Sequence, residues 1–330
     1  MKETIAVLGG TGFIGRVVVK RLRQAGFTVS VMARNIEKVS SLFEEKNIRP
    51  YRGDIRNITD VCQAIAGATQ VINLAHNGGG SWEEMRERMV GGTETVAEAC
   101  LQNGNVPLIH ISSIAALYLG PQLATITGAT PADSHEDRRP YARAKAMCEE
   151  LLLRLQRDAG LHLCILRPGL VVGAGTSPFH SGLGSYNNEQ DCVGWNSGRN
   201  PLPFVLVDDV ADAIVLACTN PIADGKIYNL VGDVRPCARD YFAQLGETLN
   251  RPLRFHAINP YWLYLSKLST WYIKRLIGKR VVPPSLRDIR SRGLEATFDC
   301  SDVKNDLGWK PVADQATFFR KAFESVSGLS

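Results

Sequence analysis

A parallel β-sheet covered on both faces by helices, followed by a smaller and mostly helical lobe, is the fold class this chain predicts. Three observations carry that expectation. From residue 3 to about 170, apolar strand-length runs alternate with segments of helical period, and strict β/α alternation over short links buries parallel strands between helices. The first run, Thr4 to Leu8, leads directly into glycines at 9, 12 and 15. After Gly169 the texture changes, and 173–203 is rich in Gly, Asn, Ser and Pro, too long for an ordinary connection.

Taken in order, the spacing predicts strands at 4–8, 27–33, 48–51, 70–75, 107–112 and 161–167. Between them it predicts helices at 13–25, 35–46, 59–66, 83–103 and 140–159. The first helix would turn Phe13, Ile14, Val17, Val18 and Leu22 inward. Order returns with a strand over Pro203–Val207, a helix over Asp208–Cys218 capped by its Asp pair, and a strand over Lys226–Leu230. Residues 237–298 read as the helical lobe. The expected plan is a Rossmann-type doubly wound sheet over 1–174, to which 203–232 returns, and a substrate lobe made mainly from 175–330.

Composition agrees with such a plan. The chain has 330 residues, of which 45% are hydrophobic, enough for a real core. The net charge of +5 is scattered and no nucleic-acid motif accompanies it, so a small molecule is the expected partner and nucleic acid is not. The eight cysteines include no C-x-x-C pair, which reads as reduced thiols without a metal site. A chain that opens in a strand and has no apolar run of membrane-spanning length is expected in the cytoplasm.

Chemistry begins at the first turn. Gly9, Gly12 and Gly15 have the spacing G-x-x-G-x-x-G, a variant of the dinucleotide fingerprint. Missing Cβ atoms let backbone N–H groups approach a pyrophosphate, and the helix N-terminus adds partial positive charge. The second strand ends Ala33-Arg34-Asn35, with no acid before Glu37. A carboxylate there would accept from the ribose 2′-hydroxyl of NAD. Arg34 instead suits a 2′-phosphate, so NADP is preferred and NAD is the alternative. Asp54, next to Ile55, is placed for the adenine amino group, and Leu74, Ala75 and His76 end the fourth strand where a cofactor would lie against the backbone.

Tyr141 and Lys145 stand four apart on a predicted helix and share a face. A lysine ammonium beside a phenol stabilises the phenolate, making tyrosine an acid/base for an alcohol or ketone. Ser112 and Ser113 end the fifth strand and present hydroxyls toward the same region.

These residues, with Leu166-Arg167-Pro168-Gly169, Tyr228-Asn229-Leu230 and Leu307-Gly308-Trp309-Lys310-Pro311, resemble the extended short-chain dehydrogenase/reductases. That superfamily includes nucleotide-sugar epimerases and dehydratases, 3β-hydroxysteroid dehydrogenases and dihydroflavonol reductases. The resemblance implies that Tyr141 is the acid/base, that Lys145 binds the nicotinamide ribose, and that Ser113 orients the substrate oxygen. It further implies that Pro168 and the residues after it, including Val171, flank the nicotinamide. A homodimer through 83–103 and 140–159 is also implied.

Within the superfamily, three departures lower the nucleotide-sugar reading. Met89-Val90-Gly91-Gly92-Thr93 lacks the usual Asn, Gly169-Leu170-Val171-Val172-Gly173 lacks another, and Leu202-Pro203 stand where an Arg is common. Candidate substrate residues are His76, Trp82, His180, Tyr186, Asn187, Asn188 and Trp195. The aromatic and basic stretch 260–280 either covers an apolar substrate, lies on a membrane surface, or packs as core. The leading expectation is an oxidoreductase moving hydride between NADP and a secondary alcohol or ketone of an apolar or mixed small molecule. The alternatives are a nucleotide-sugar epimerase or dehydratase that recycles its cofactor, and a non-catalytic NADP(H)-binding regulator.

Overall fold

In the computed structural model the chain leaves β1 (Thr4–Leu8), turns through the glycines into α1 (Phe13–Gln24), and returns as β2 (Thr28–Ala33) beside β1. The structure describes residues 3–36, 47–75, 81–120, 125–186, 190–279, 281–293 and 295–326. The pattern continues through β3 (Ile48–Arg52), α2 (Ile58–Ile65), β4 (Gln70–Asn73), α3 (Trp82–Met85), α4 (Gly92–Gln102) and β5 (Leu108–Ile111). Then come β6 (Thr125–Ile126), α5 (Pro140–Ala159) and β7 (Leu163–Pro168). Among the described residues the main sheet has seven parallel strands, ordered β12-β7-β5-β4-β1-β2-β3, where β12 is Ile227–Leu230. The order reverses between β1 and β4, which opens a crevice at the C-terminal ends of the strands.

Alternation in the strands divides the core. Ile5, Val7, Ile72, Ile109 and Leu166 face α1 and α6 (Val207–Thr219), while Ala6, Leu8, Val71, Leu108 and Ile165 face α2, α4 and α5. Phe298, Val303, Leu307 and Trp309, near the C-terminus, join the first of these clusters. The Trp309 indole N–H donates to the Asp209 carbonyl at 2.8 Å, locking that segment onto α6.

A buried ion pair links α5 to β7. Arg167 and Glu149 are 1% and 0% exposed at the side chain, and the guanidinium meets both carboxylate oxygens. It also donates to the Gly128 and Thr130 carbonyls at 3.2 and 2.9 Å. The Ser112 hydroxyl donates to the same carboxylate.

The structure differs from the sequence reading at three places, and a fourth expectation falls outside the described residues. The helix expected at 83–103 is interrupted by a π-helical turn over Arg86–Gly91, and π-turns often mark functional positions. Of the helix expected over 35–46, residues 37–46 lie outside the described residues. The Asp pair does not cap α6: Leu206 stands at the N-cap without a side-chain bond. Asp208 instead binds Arg21 and Lys321, and the Asp209 carboxylate accepts from the Val312 N–H at 3.1 Å. The loop 173–203 contains two short strands, β9 (Gly184–Tyr186) and β10 (Asp191–Gly194). They pair with each other, and β10 also pairs with β13 (Arg254–His256), a long-range contact that three- and four-residue strands cannot announce locally.

Candidate functional site

The glycine turn is shaped by close backbone approach. Gly9 has φ +86°, and a Cβ there would lie 2.8 Å from the Ala75 nitrogen. A Cβ on Gly15 would lie 2.3 Å from the Gly9 carbonyl oxygen. Only glycine allows β1, the turn and the end of β4 to converge this tightly. They form one wall of a cavity of about 260 Å³, lined by Gly9, Thr11, Gly12, Ala33, Arg34, Asp54, Ile55, Leu74 and Ala75 among others. The cradle fits an extended phosphate-bearing cofactor, because bare backbone and the N-terminus of α1 face it. Phe13 and Ile14, which follow the turn, do not line this cavity: Phe13 lies against Gly175, and Ile14 is partly buried against the core.

Arg34 stands exposed at this cavity, and two arginines missed by the sequence reading join it, Arg56 and Arg88. Arg56 forks onto Asp54, with bonds of 2.8 and 3.1 Å, and reaches Glu87 at 3.2 Å. The Arg56 guanidinium, with a smaller contribution from Arg34, holds the Asp54 carboxyl below its ordinary range. Arg88 arrives on the π-helical turn, which no periodicity argument foresees.

Ser113, Tyr141 and Lys145 lie at the end of β5 and the start of α5. The Lys145 ammonium is buried and donates to the Ile111 carbonyl at 2.8 Å, tying the helix to the strand. Ser113 caps a single 3-10 turn by accepting from the Ala115 N–H at 3.1 Å. Its neighbour Ser112 is buried with its hydroxyl on Glu149, so of the two serines only Ser113 faces away from the core ion pair. The Arg139 N–H before the helix donates to Asp288 at 2.7 Å, and Arg138 also binds that carboxylate. The helical lobe thereby holds the segment entering Tyr141.

Tyr141 and Ala115 line a second cavity, of about 770 Å³. Its far wall comes from the lobe: Trp195, α8 (Pro260–Leu276) through Lys267 and Trp271, and α9 (Leu286–Arg292) through Asp288 and Arg292. Among the described residues, four of the lining side chains are basic (Arg139, Lys267, Lys274 and Arg292) and Asp288 is the one acid. Lys267 and Arg292 lie over the Trp195 ring, at 5.5 and 4.9 Å from its centroid. Burial first, and then the neighbouring Arg139 charge, pushes the Arg292 guanidinium down to about 10 and lowers Lys267 as well. An anion between them would relieve that repulsion.

The structure does not bring every predicted residue to a cavity. His76, Asn187 and Asn188 lie outside the described residues. Trp195 lines the larger cavity. Trp82 stacks under Arg143 at 4.2 Å and packs with Met85, which does line it. Tyr186 is packed against Phe179 and Phe242 in the lobe core, its hydroxyl on the His180 carbonyl. The His180 ring accepts from the Gly182 N–H at 2.9 Å, and it is the adjacent Ser181 that lines the cavity. Pro168 ends β7, and Val171 pairs with Val205 in β8 (Leu170–Val172) against β11 (Phe204–Leu206); neither lines the cavities described above.

Two imidazoles, His110 buried and His180 half-buried, give the fold a pH dependence. Burial, reinforced by Lys145, holds His110 well below its ordinary range, and burial with Arg292 lowers His180 to about 4. Both stay neutral when folded, whereas unfolded histidine titrates near 6.5. Their stabilisation is full above that pH and is lost as pH falls toward the folded values. For His180 the span from 6.5 to about 4 amounts to about 3 kcal/mol. Asp209, raised by burial to about 6, opposes the trend between pH 6 and its ordinary value. Urea midpoints across pH 4–7 are expected to fall on the acid side, and less steeply in His180→Asn.

Comparison with known proteins follows this geometry. A family model described as the NAD dependent epimerase/dehydratase family matches residues 5–231. The chain is 25% identical to UDP-glucose 4-epimerase of Vibrio cholerae, covering 94% of this chain and 92% of that one. It is 28% identical to 2-alkyl-3-oxoalkanoate reductase of Stenotrophomonas maltophilia, over 76% and 72% of the two chains. It is 24% identical to the decarboxylating sterol-4-alpha-carboxylate 3-dehydrogenase of Mus musculus, over 98% and 91%. The structure of a UDP-glucuronic acid 4-epimerase from Bacillus cereus, solved with NAD, superposes with a TM-score of 0.75 at 18% identity, over 99% of both chains. With its glycine cradle at the sheet's reversal point and its match across two thirds of its length, the chain belongs to the NAD-dependent epimerase/dehydratase family of extended short-chain dehydrogenase/reductases.

Proposed function

We propose that the protein is an NADP-preferring oxidoreductase acting on a secondary alcohol or ketone whose apolar body carries one acidic group. The observation that carries this reading is the larger cavity: Tyr141 on one wall, and Lys267 and Arg292 over Trp195 on the other. Asp288, the acid of that wall, already has its oxygens on Arg138 and the Arg139 N–H. A carboxylate on the substrate would take its place as counter-charge. Two relatives whose names specify a 3-oxo or 3-hydroxy function near a carboxylate agree with this class.

Bound nicotinamide would supply hydride exchange with the carbinol or carbonyl carbon. Tyr141 would give or take the proton at the substrate oxygen, and Ser113 would donate to that oxygen. Lys145, fixed by the Ile111 carbonyl, would stabilise the phenolate and reach the ribose. Arg34 would pair the 2′-phosphate, with Arg88 adding positive charge at the same cavity.

Titration with NADPH and NADH, followed by nicotinamide fluorescence, tests the cofactor assignment. The expected result is an NADPH preference that Arg34→Ala reduces about tenfold to a hundredfold, as loss of a charge-assisted bond of about 1.5–3 kcal/mol requires. Equal binding of the two overturns it. For the substrate, Arg292→Met is expected to raise KM for a 3-oxo carboxylate at least about tenfold, with little change for the corresponding amide. The Vibrio cholerae relative favours a second reading, since a basic cavity also suits a nucleotide diphosphate. Cofactor retained through purification, together with protection by a UDP-sugar, would establish that reading instead.

A further inference from the structure

The outward face of α8 is unlike the rest of the surface. Among the described residues, eight of the eleven exposed large apolar side chains fall between 261 and 282. Trp262 and Leu276 are 69% and 70% exposed, and Leu265, Tyr272, Ile273 and Ile277 are at least half exposed. At 100° per residue these six fall within an arc of about 120° to 160° on one side of the helix. The opposite side holds the buried Leu263 and the cavity-lining Lys267 and Trp271. A soluble monomer seldom shows so concentrated an apolar strip.

Charge identifies what meets this strip. From Glu247 to Asp288 the chain has no intervening acid, while eight lysines and arginines occur between them. Arg275 and Lys279 are exposed at the C-terminal end of the strip. A second copy of the chain, docked strip to strip, would present the same cations and no acid of this stretch to answer them. We propose that α8 lies flat on an anionic membrane surface, its apolar arc at the boundary between headgroups and acyl chains and its basic end on lipid phosphates. No helix among the described residues is long and apolar enough to cross a membrane, so the contact is peripheral. Because the inner side of α8 forms a wall of the larger cavity, a substrate with an apolar body would pass from lipid to Tyr141 along this helix. That last consequence rests on the function proposed above, whereas the docking itself does not.

Co-sedimentation of the full chain with vesicles tests the docking without substrate or cofactor. Vesicles of phosphatidylcholine containing phosphatidylglycerol are expected to bind the protein at least about tenfold more tightly than phosphatidylcholine alone, and less tightly as salt rises. Trp262→Ser with Leu276→Ser is expected to lower that affinity at least about tenfold. A circular-dichroism melt shows whether the pair still folds. If it does not, Arg275→Glu with Lys279→Glu decides the matter, with loss of the preference for anionic vesicles expected. Absence of binding to either vesicle overturns the proposal. So does a wild-type dimer in sedimentation velocity that Trp262→Ser converts to monomer with no vesicle binding, because the strip would then be covered by a second copy.

Discussion

Tyr141→Phe is expected to lower kcat about a thousandfold while leaving the dissociation constant for NADPH almost unchanged. The substitution removes the phenolic oxygen and keeps the ring in the cavity wall, so binding surfaces survive. What disappears is the proton donor at the substrate oxygen, a contribution of about two to four orders of magnitude in such catalysts. Single-turnover rates with NADPH held at saturation, beside a fluorescence titration, check both halves. Equal loss of turnover and of cofactor affinity would place Tyr141 among structural residues. The two serines sharpen the assignment. Ser113→Ala is expected to slow turnover with little change in stability. Ser112→Ala is expected to do the reverse, since its hydroxyl serves the buried Glu149 carboxylate.

Glu149→Ala is expected to destabilise the fold by about 3–5 kcal/mol, measured as a shift of the urea midpoint. The substitution leaves the Arg167 guanidinium, 1% exposed, without its carboxylate between α5 and β7. The two carbonyls of Gly128 and Thr130 remain, but carbonyl dipoles do not neutralise a buried charge. Glu149→Leu with Arg167→Leu should cost less than Glu149→Ala alone, because removing both charges ends the desolvation problem. A double mutant as unstable as the single would mean that packing, and not the unpaired charge, sets the loss. Since α5 carries Tyr141 and Lys145 near its start, the pair also helps to hold these two proposed reacting groups against the sheet.

Periodicity and glycine spacing determined the architecture from the sequence. The six strands expected through residue 167 all form, with shifts of one or two residues at their ends. The inner ones follow because a strand buried on both faces must be apolar and a helix between strands must carry a stripe, whereas β3 is an exposed edge strand with two arginines. The cradle was legible for the same local reason: Gly9 and Gly15 sit where any Cβ would strike backbone.

Other features were decided only by contacts distant in sequence. Arg88 reaches the cofactor cavity because the helix after β4 passes through a π-turn. Ser112 and Ser113 are chemically identical neighbours, and only the Glu149–Arg167 pair, brought up from α5 and β7, separates their environments. Tyr186, an expected substrate residue, lies instead between Phe179 and Phe242. The basic lining of the larger cavity gathers Arg139, beside Tyr141, and Lys267 and Arg292 on the far wall, from three separate stretches of chain. Each residue taken alone reads as a solvated surface charge. The meeting of Lys267 and Arg292 around Trp195, with Arg139 lining the same cavity, follows from the docking of α8 and α9 against the sheet domain, because side-chain period is a property of one segment whereas convergence depends on how segments pack.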